Sequence, residues 1–188
     1  MPSMKILLIA GGWSSEREVS LTGARGMQEA LLKRGHAVTF FDLLENFDEL
    51  LETARQHDFA LINLHGSPGE DGLVQAMLEK AGCPYQGSGP SGSFLALNKA
   101  AAKQIFRMAG LPTADWEFLP VRPAEGWEPR LPWPLFVKTT TGGSSLRLGS
   151  ATNRQELDAL MDEIFAAGEG VLIEPQLPGK EITCGILG

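Results

Sequence analysis

The sequence predicts an α/β protein in two parts, a doubly wound parallel-sheet domain over residues 1–92 and an α+β domain over residues 93–188. Three features carry that expectation. Up to Gly89, apolar β-type runs alternate with helical patterns, the signature of βαβ units around a parallel sheet. Over residues 94–109 a helical pattern stands without a matching strand before it, so the alternation has ended. Beyond it, two short apolar runs flank a Pro/Trp-rich loop, residues 120–134, where a crossover helix would otherwise be needed.

Each element has its own signal. Residues 6–10 are continuously apolar and read as a buried strand. Residues 20–34 carry Leu21, Ala24, Met27, Leu31 and Leu32 at helical spacing and stop at Gly35, the residue type that most easily takes the left-handed C-terminal cap. Residues 37–41 form the next strand, 47–57 a second helix, 59–64 a third buried strand, and 72–81 a helix closed by Gly82. The helix over 94–109 is broken by Gly110-Leu111-Pro112. Residues 116–119 and 135–138 read as strands, and Asn153 followed by Glu156 opens a helix to Ala167 in the manner of a capping box. Residues 171–174 and 181–187 complete the strands. The sequence stops at Gly188 directly after that last apolar run, which would leave an open strand edge. The expectation is half of a larger enzyme, or an edge that a partner chain covers. There is no internal repeat and no low-complexity tract.

Composition narrows the chemistry. With 188 residues, 43% hydrophobic and 21% charged, the chain can bury a core, which argues against disorder, collagen-like repeats and coiled coil. Sixteen basic against 23 acidic residues give a net charge of −7, which argues against a broad nucleic-acid or anionic-membrane footprint but permits a local basic patch around a phosphate. Small-molecule chemistry is the starting expectation, with neither nucleic acid nor membrane as a partner. Cys83 and Cys184 lie far apart with no C-x-x-C or Cys/His cluster, so neither a zinc site nor a disulfide framework is indicated, and a reduced, cytoplasmic protein fits. No apolar run approaches the ~20 residues of a membrane span. The apolar run at 5–10 runs on to Glu16, Arg17 and Glu18 without a signal-peptide cleavage pattern.

Several motifs carry possible chemistry. The first strand leads into Gly11-Gly12-Trp13-Ser14-Ser15-Glu16-Arg17-Glu18, placing small residues and backbone N–H groups where ligands sit in an open α/β sheet. Neither G-x-G-x-x-G nor G-x-x-x-x-G-K-[ST] occurs, so the dinucleotide fingerprint and the P-loop both fall. Ser15 and Glu18 have the spacing of a capping box, and Glu16 between them is a candidate ligand-binding carboxylate. His65 ends the third strand; it can donate to a substrate carboxylate or a developing oxyanion, or be an ordinary loop histidine held by backbone. Glu70 and Asp71 read as caps of the next helix rather than as metal ligands.

Lys138 ends an apolar strand and leads into Thr139-Thr140-Thr141-Gly142-Gly143-Ser144-Ser145. A strand-borne lysine beside a Gly/Ser loop can hold and cover polyphosphate without a P-loop, although an exposed strand end is as good a reading of the lysine alone. Lys99 is the second cation of interest, and Lys103, one helical turn on, reads as solvated. Residues 171–181 break from an apolar strand into an extended segment that offers backbone donors and acceptors to a flat heterocycle, with Glu181 able to accept from ribose hydroxyls.

Read together, these stretches resemble the D-alanine:D-alanine ligase family of the ATP-grasp superfamily. The matching stretches are Gly11-Gly12 with Ser15 to Ser20, Leu64-His65-Gly66 with Gly69 to Gly72, Pro84-Tyr85 with Gly87-Ser88-Gly89, Asn98-Lys99, Val137-Lys138 with Gly143-Ser144-Ser145, and Val171 to Glu174 with Glu181, in family order across essentially the whole chain. The resemblance implies a Rossmann-like pre-ATP-grasp domain followed by an ATP-grasp small lobe, with the C-terminal lobe absent. It implies ATP-dependent joining of two D-alanines for peptidoglycan synthesis, cell-wall biogenesis and cell shape, in the cytoplasm and as a homodimer at full length. Glu16 would hold the ammonium of the first D-alanine with Ser144, both acting in catalysis, and His65 would lie near its carboxylate. Lys99 and Lys138 would contact ATP phosphates, Ser144 and Ser145 would belong to a covering loop, and Glu174, Gln176, Leu177 and Glu181 would frame adenine and ribose.

Mg2+ (or Mn2+) is expected, with ligands in the absent lobe, so the 188 residues alone are expected to be inactive and to bind ATP weakly. The sequence departs from the family pattern at Thr139, where proline is usual, at Gly142, where an acidic residue is usual, and at Leu146-Arg147, where Val-Gly is usual. Two alternatives stay open: a non-catalytic nucleotide-binding or interaction fragment, and another ATP-grasp carboxylate-amine ligase.

Overall fold

The computed structural model describes residues 2–142 and 147–185, and the chain falls into two compact units, residues 1–94 and 95–188. In the first, β1 (Lys5–Ala10) lies between β2 (Ala37–Asp42) and β3 (Phe59–Asn63) in a parallel sheet of order β2-β1-β3. Burial of the central strand on both faces explains its unbroken apolar run. Leu7 and Ile9 face Phe41, Leu43, Leu50, Val74 and Leu78, while Leu8 and Ala10 face Ala24 of α1 (Arg17–Lys33) on the other side. This alternation is the period of two expected of a strand.

The boundaries differ from expectation where side chains take unforeseen partners. Helix α1 starts at Arg17 with Glu16 at its cap position and no side-chain capping bond, so the expected Ser15–Glu18 box does not form. Ser14 does the work instead: its hydroxyl accepts from the Glu16 N–H at 3.2 Å and its carbonyl from the Arg17 N–H at 3.2 Å. The helix expected over 47–57 is replaced by α2 (Leu43–Asn46), a 3₁₀ turn (Phe47–Glu49) and α3 (Leu50–Ala54), because the Asp42 carboxylate accepts from Leu44 N–H at 3.2 Å and starts a helix early. Helix α4 (Leu73–Ala81) closes at Gly82, whose φ is +75°. Asp71, and not Glu70, serves its start by accepting from Leu73 N–H at 3.0 Å. The run over 94–109 is two helices, α5 (Pro90–Leu97) and α6 (Lys99–Met108), because the extended Asn98 turns its side chain to accept from Ala101 N–H at 3.1 Å.

The second unit holds an antiparallel sheet of order β4-β7-β5-β6, from β4 (Glu117–Leu119), β5 (Leu135–Thr139), β6 (Leu148–Ala151) and β7 (Val171–Pro175). Helix α7 (Arg154–Ala166) packs Leu157, Met161 and Ile164 on Leu135, Val137, Ala151, Val171 and Ile173. Asn153 caps it as expected, accepting from Glu156 N–H at 3.0 Å, but Glu156 reaches back to Thr152 N–H at 2.7 Å, one residue before the cap. Strand β6 was not expected. Its Gly149 packs closely on α7, since a Cβ there would lie 3.1 Å from Leu160 Cδ2. The strand expected over 181–187 is not formed over its described part, residues 181–185, and the rest lies outside the described residues.

Candidate functional site

In the first unit the predicted Glu16 and His65 sit on loops that leave adjacent strand ends, after β1 and β3. The β1 loop begins with Gly11 and Gly12, both at positive φ (+79° and +77°). Arg17 and Asp42 form a bidentate pair, 2.7 Å on each branch, against this turn. A Cβ on Gly11 would stand 2.4 Å from Arg17 Nη1 and 2.6 Å from Asp42 Oδ1, so only glycine lets that pair close. The Arg17 hydrogen bond outweighs burial and holds the Asp42 carboxyl below its ordinary range.

Ser20 ties the two strand ends together. Its hydroxyl accepts from Gly11 N–H at 2.8 Å and donates to the Asn63 carbonyl, while Asn63 Nδ2 donates back to Ser20 O at 2.7 Å. Gly66, at φ +64°, brings the His65 loop against Ser14, with a Cβ there 3.5 Å from Ser14 Cβ. His65 is half-buried, and among the described residues no hydrogen bond or ion pair engages its ring. It is therefore not a loop histidine held by backbone. Glu16 is half-buried as well.

In the second unit the alternation of β5 and β7 separates two faces. Leu135, Val137 and Ile173 point to α7, whereas Phe136 lies opposite Glu174 in register and Lys138 lies two residues along the same face. The Glu174 carboxylate is buried and bridges two lysines, with Oε1 on Lys103 and Oε2 on Lys138. Burial pushes its carboxyl up, but the hydrogen bonds from Lys103 and Lys138 outweigh that and hold it below the ordinary range.

Lys103 corrects the expectation of a solvated side chain: it is only 7% exposed. It donates to Thr113 Oγ1 at 2.7 Å and stands 5.1 Å from the Trp116 ring centroid. A carboxylate inside an apolar strand, Val-Leu-Ile-Glu, was the signal that could have found it, because a buried charge requires a cation. Lys138 is likewise not an exposed strand end but a paired, partly covered one.

Lys99 starts α6, with its backbone N–H donating to Thr140 O at 2.9 Å and its ammonium to Gly142 O. Burial first, and the charge of Lys138 second, lower its pKa. The segment after β5 is fastened at each step: Gly142 N–H donates to Thr139 Oγ1 at 2.8 Å and Thr140 Oγ1 donates to Gly170 O at 2.7 Å. Ser144 and Ser145 lie outside the described residues.

Lys138, Glu174, Gln176, Leu177 and Glu181 do come together, lining with Phe136 one cavity of ≈ 570 Å³. Within it Gln176 is already engaged, accepting from Ser150 Oγ at 2.6 Å, while Leu177 and Glu181 are exposed. Lys99 is not among the residues lining this cavity. Among the described residues no three His, Cys, Asp or Glu side chains are grouped to hold a metal, and no helix is long and apolar enough to cross a membrane.

A family model described as the D-ala D-ala ligase C-terminus matches residues 104–188. A D-alanine--D-alanine ligase of Desulfovibrio desulfuricans is 75% identical over 185 residues, 98% of this chain and 60% of that protein. The enzyme of the same name from Nitratidesulfovibrio vulgaris strain Hildenborough is 62% identical over 98% of this chain and 61% of its own length. Among solved structures, a D-alanine--D-alanine ligase from Bacillus anthracis complexed with ATP superposes with a TM-score of 0.81 at 34% identity, over 94% of this chain and 60% of that one. Its counterpart described without ATP gives 0.83 at 36%, over 94% and 59%. The chain thus spans about three-fifths of the length of the relatives it matches.

Proposed function

We propose that the chain is part of a D-alanine:D-alanine ligase of ATP-grasp fold and that the protein carrying it joins two D-alanines in an ATP-dependent reaction. The observation that supports this best is the cavity where the Lys138 side chain meets the strand-to-loop segment 174–181, a lysine-bearing strand end beside an extended backbone. ATP transfers its terminal phosphoryl group to the first D-alanine's carboxylate, leaving ADP and an acylphosphate, and the amine of the second D-alanine attacks the acyl carbon, loses a proton and displaces inorganic phosphate as the peptide bond forms. A carboxylate is otherwise a poor electrophile, so positive charge at the transferring phosphoryl is what the protein must provide.

Lys138 and Lys99 are the residues we assign to that charge, with Ser144 and Ser145 covering it. The segment with Glu174, Gln176, Leu177 and Glu181 receives adenine and ribose. Glu16 takes the ammonium of the first D-alanine together with Ser144, and the half-buried His65 donates to its carboxylate. A divalent Mg2+ or Mn2+ belongs to this chemistry, but the described residues offer no cluster for it and no step is assigned through it. A cytoplasmic homodimer serving peptidoglycan synthesis, and so cell-wall biogenesis and cell shape, completes the proposal.

The test is phosphate release from ATP by the product of the complete coding frame, with D-alanine compared against D-lactate, D-serine and L-amino acids. D-alanine-dependent release is expected there and not from the 188 residues alone. A folded full-frame product that releases phosphate with a different carboxylate-amine pair, or with none, overturns the assignment.

A further inference from the structure

The buried trio Lys103–Glu174–Lys138 has a member with no place in the proposed chemistry. Glu174 presents two oxygens and each is taken by a different ammonium, so the three groups together carry one net positive charge. Remove Lys103 and the carboxylate, only 8% exposed, has a single cation left to neutralise it. A buried carboxylate with one partner holds that partner tightly, since releasing it would leave an unpaired charge away from water. Lys138 would then be spent inside the protein. With Lys103 in place, locked by Thr113 and seated over Trp116, the carboxylate keeps a permanent counter-ion and the second lysine can leave it without that penalty.

We infer that Lys103 is a positioning residue whose charge offsets Glu174, so that the Lys138 ammonium remains available to a polyphosphate entering the cavity. The inference rests on the nucleotide reading above and deepens it. Lys103 itself, on α6, faces Thr113, Trp116 and β7 and is not among the residues lining the cavity, so it acts through Glu174 and not by touching the ligand.

The full-frame protein decides it through a double-mutant cycle read by binding of ATP and of inorganic tripolyphosphate. Lys103→Met should weaken both by about tenfold or more, the scale of one charge-assisted hydrogen bond, while Lys103→Arg should stay close to wild type. Glu174→Gln placed on Lys103→Met should recover most of the tripolyphosphate loss, because a neutral side chain at position 174 no longer holds Lys138, whereas ATP binding also loses the Glu174 contact assigned to the nucleoside. Wild-type binding by Lys103→Met, or equal weakness with and without Glu174→Gln, overturns the inference in favour of plain packing.

If Lys103→Met does not fold, Glu174→Gln and Lys103→Met/Glu174→Gln carry the test. They should bind tripolyphosphate alike, and a weaker double variant overturns the inference. A second readout needs no ligand: the Glu174 carboxyl, followed by ¹³C NMR, should titrate higher in Lys103→Met than in wild type, and an unmoved carboxyl overturns it. Tripolyphosphate binding that follows this pattern in a protein inert toward D-alanine would sink the ligase reading alone, whereas D-alanine turnover unaffected by Lys103→Met would sink this one alone.

Discussion

Gly142→Ala tests whether two departures from the family pattern, Thr139 and Gly142, are one device. An added Cβ would stand 2.3 Å from Thr139 Oγ1, where ordinary contact begins at 3.4 Å, so one of the two must move by about 1 Å. Thr139 has little room: it is 2% exposed, β-branched, and held by the 2.8 Å bond from Gly142 N–H. Turning its hydroxyl away forfeits that bond, about 0.5–1.5 kcal/mol, and leaves a polar group buried without a partner, about 1–3 kcal/mol. A destabilisation of about 2–3 kcal/mol follows for Gly142→Ala. Thr139→Ala should cost about 1 kcal/mol, the lost bond alone.

On the Thr139→Ala background, however, the clashing oxygen is gone and Thr139 Cβ, at 3.4 Å, is an ordinary neighbour. Gly142→Ala should there be nearly neutral, aided by the reduced freedom of the unfolded chain. Chemical denaturation of the four proteins, followed by the tryptophans of the second unit (Trp116, Trp127 and Trp133), gives a coupling of about 2–3 kcal/mol if the two positions are one device. Equal costs for Gly142→Ala in both backgrounds would refute the reasoning.

Gly72→Ala combines a φ of +91° with a Cβ 2.3 Å from the Pro90 carbonyl oxygen, backbone that cannot step aside, and should cost about 2–4 kcal/mol by denaturant titration. Leu172, fully buried on the face of β7 opposite α7, should cost about 2–5 kcal/mol as Leu172→Ala, read the same way. Asp42 is held below its usual 3.8 by Arg17, so its contribution is complete above that value and is lost as pH falls further, because the unfolded chain takes up the proton first. Asp42→Asn should therefore be less stable than wild type at neutral pH, and the gap should close toward about pH 2, below the carboxylate range. A gap independent of pH would count against the pair.

The first unit was largely legible because its elements announce themselves locally: an unbroken apolar run for the strand buried on both faces, and Gly35 and Gly82 where helices close at positive φ. Its misread stretches are those where a short polar side chain intercepts the backbone. Asp42 starts a helix early, Ser14 displaces the expected capping box, and Asn98 cuts one helical run in two. Strand β6 escaped because Gly149 and Ser150 carry no strand preference and are placed by Leu160 and by pairing with β5. Residues 181–185 failed the other way, with a strand-like pattern and no ladder partner among the described residues. Of the candidate site, the cavity-lining residues Glu174 to Glu181 follow one another from the end of β7 and so travel together in sequence. Lys103 was hidden because its i,i+4 spacing from Lys99 suggests a solvated stripe, while its actual partner lies 71 positions further along the chain.

The order β4-β7-β5-β6 makes the latest strand of the second unit an interior one. On the ribosome β5 and β6 can pair as soon as both have emerged, but β4 has no neighbour, and β5 keeps one bare edge, until residues 171–175 follow. Closure of the sheet is thus a single late event that joins segments more than 50 residues apart, the kind of pairing whose loop entropy slows folding. During that interval the β5 edge that β7 later occupies is an unpaired backbone edge, the feature that recruits other chains. Insertion of β7 brings Glu174 between its two lysines in the same step, so the buried carboxylate acquires its counter-ions only when the sheet is complete.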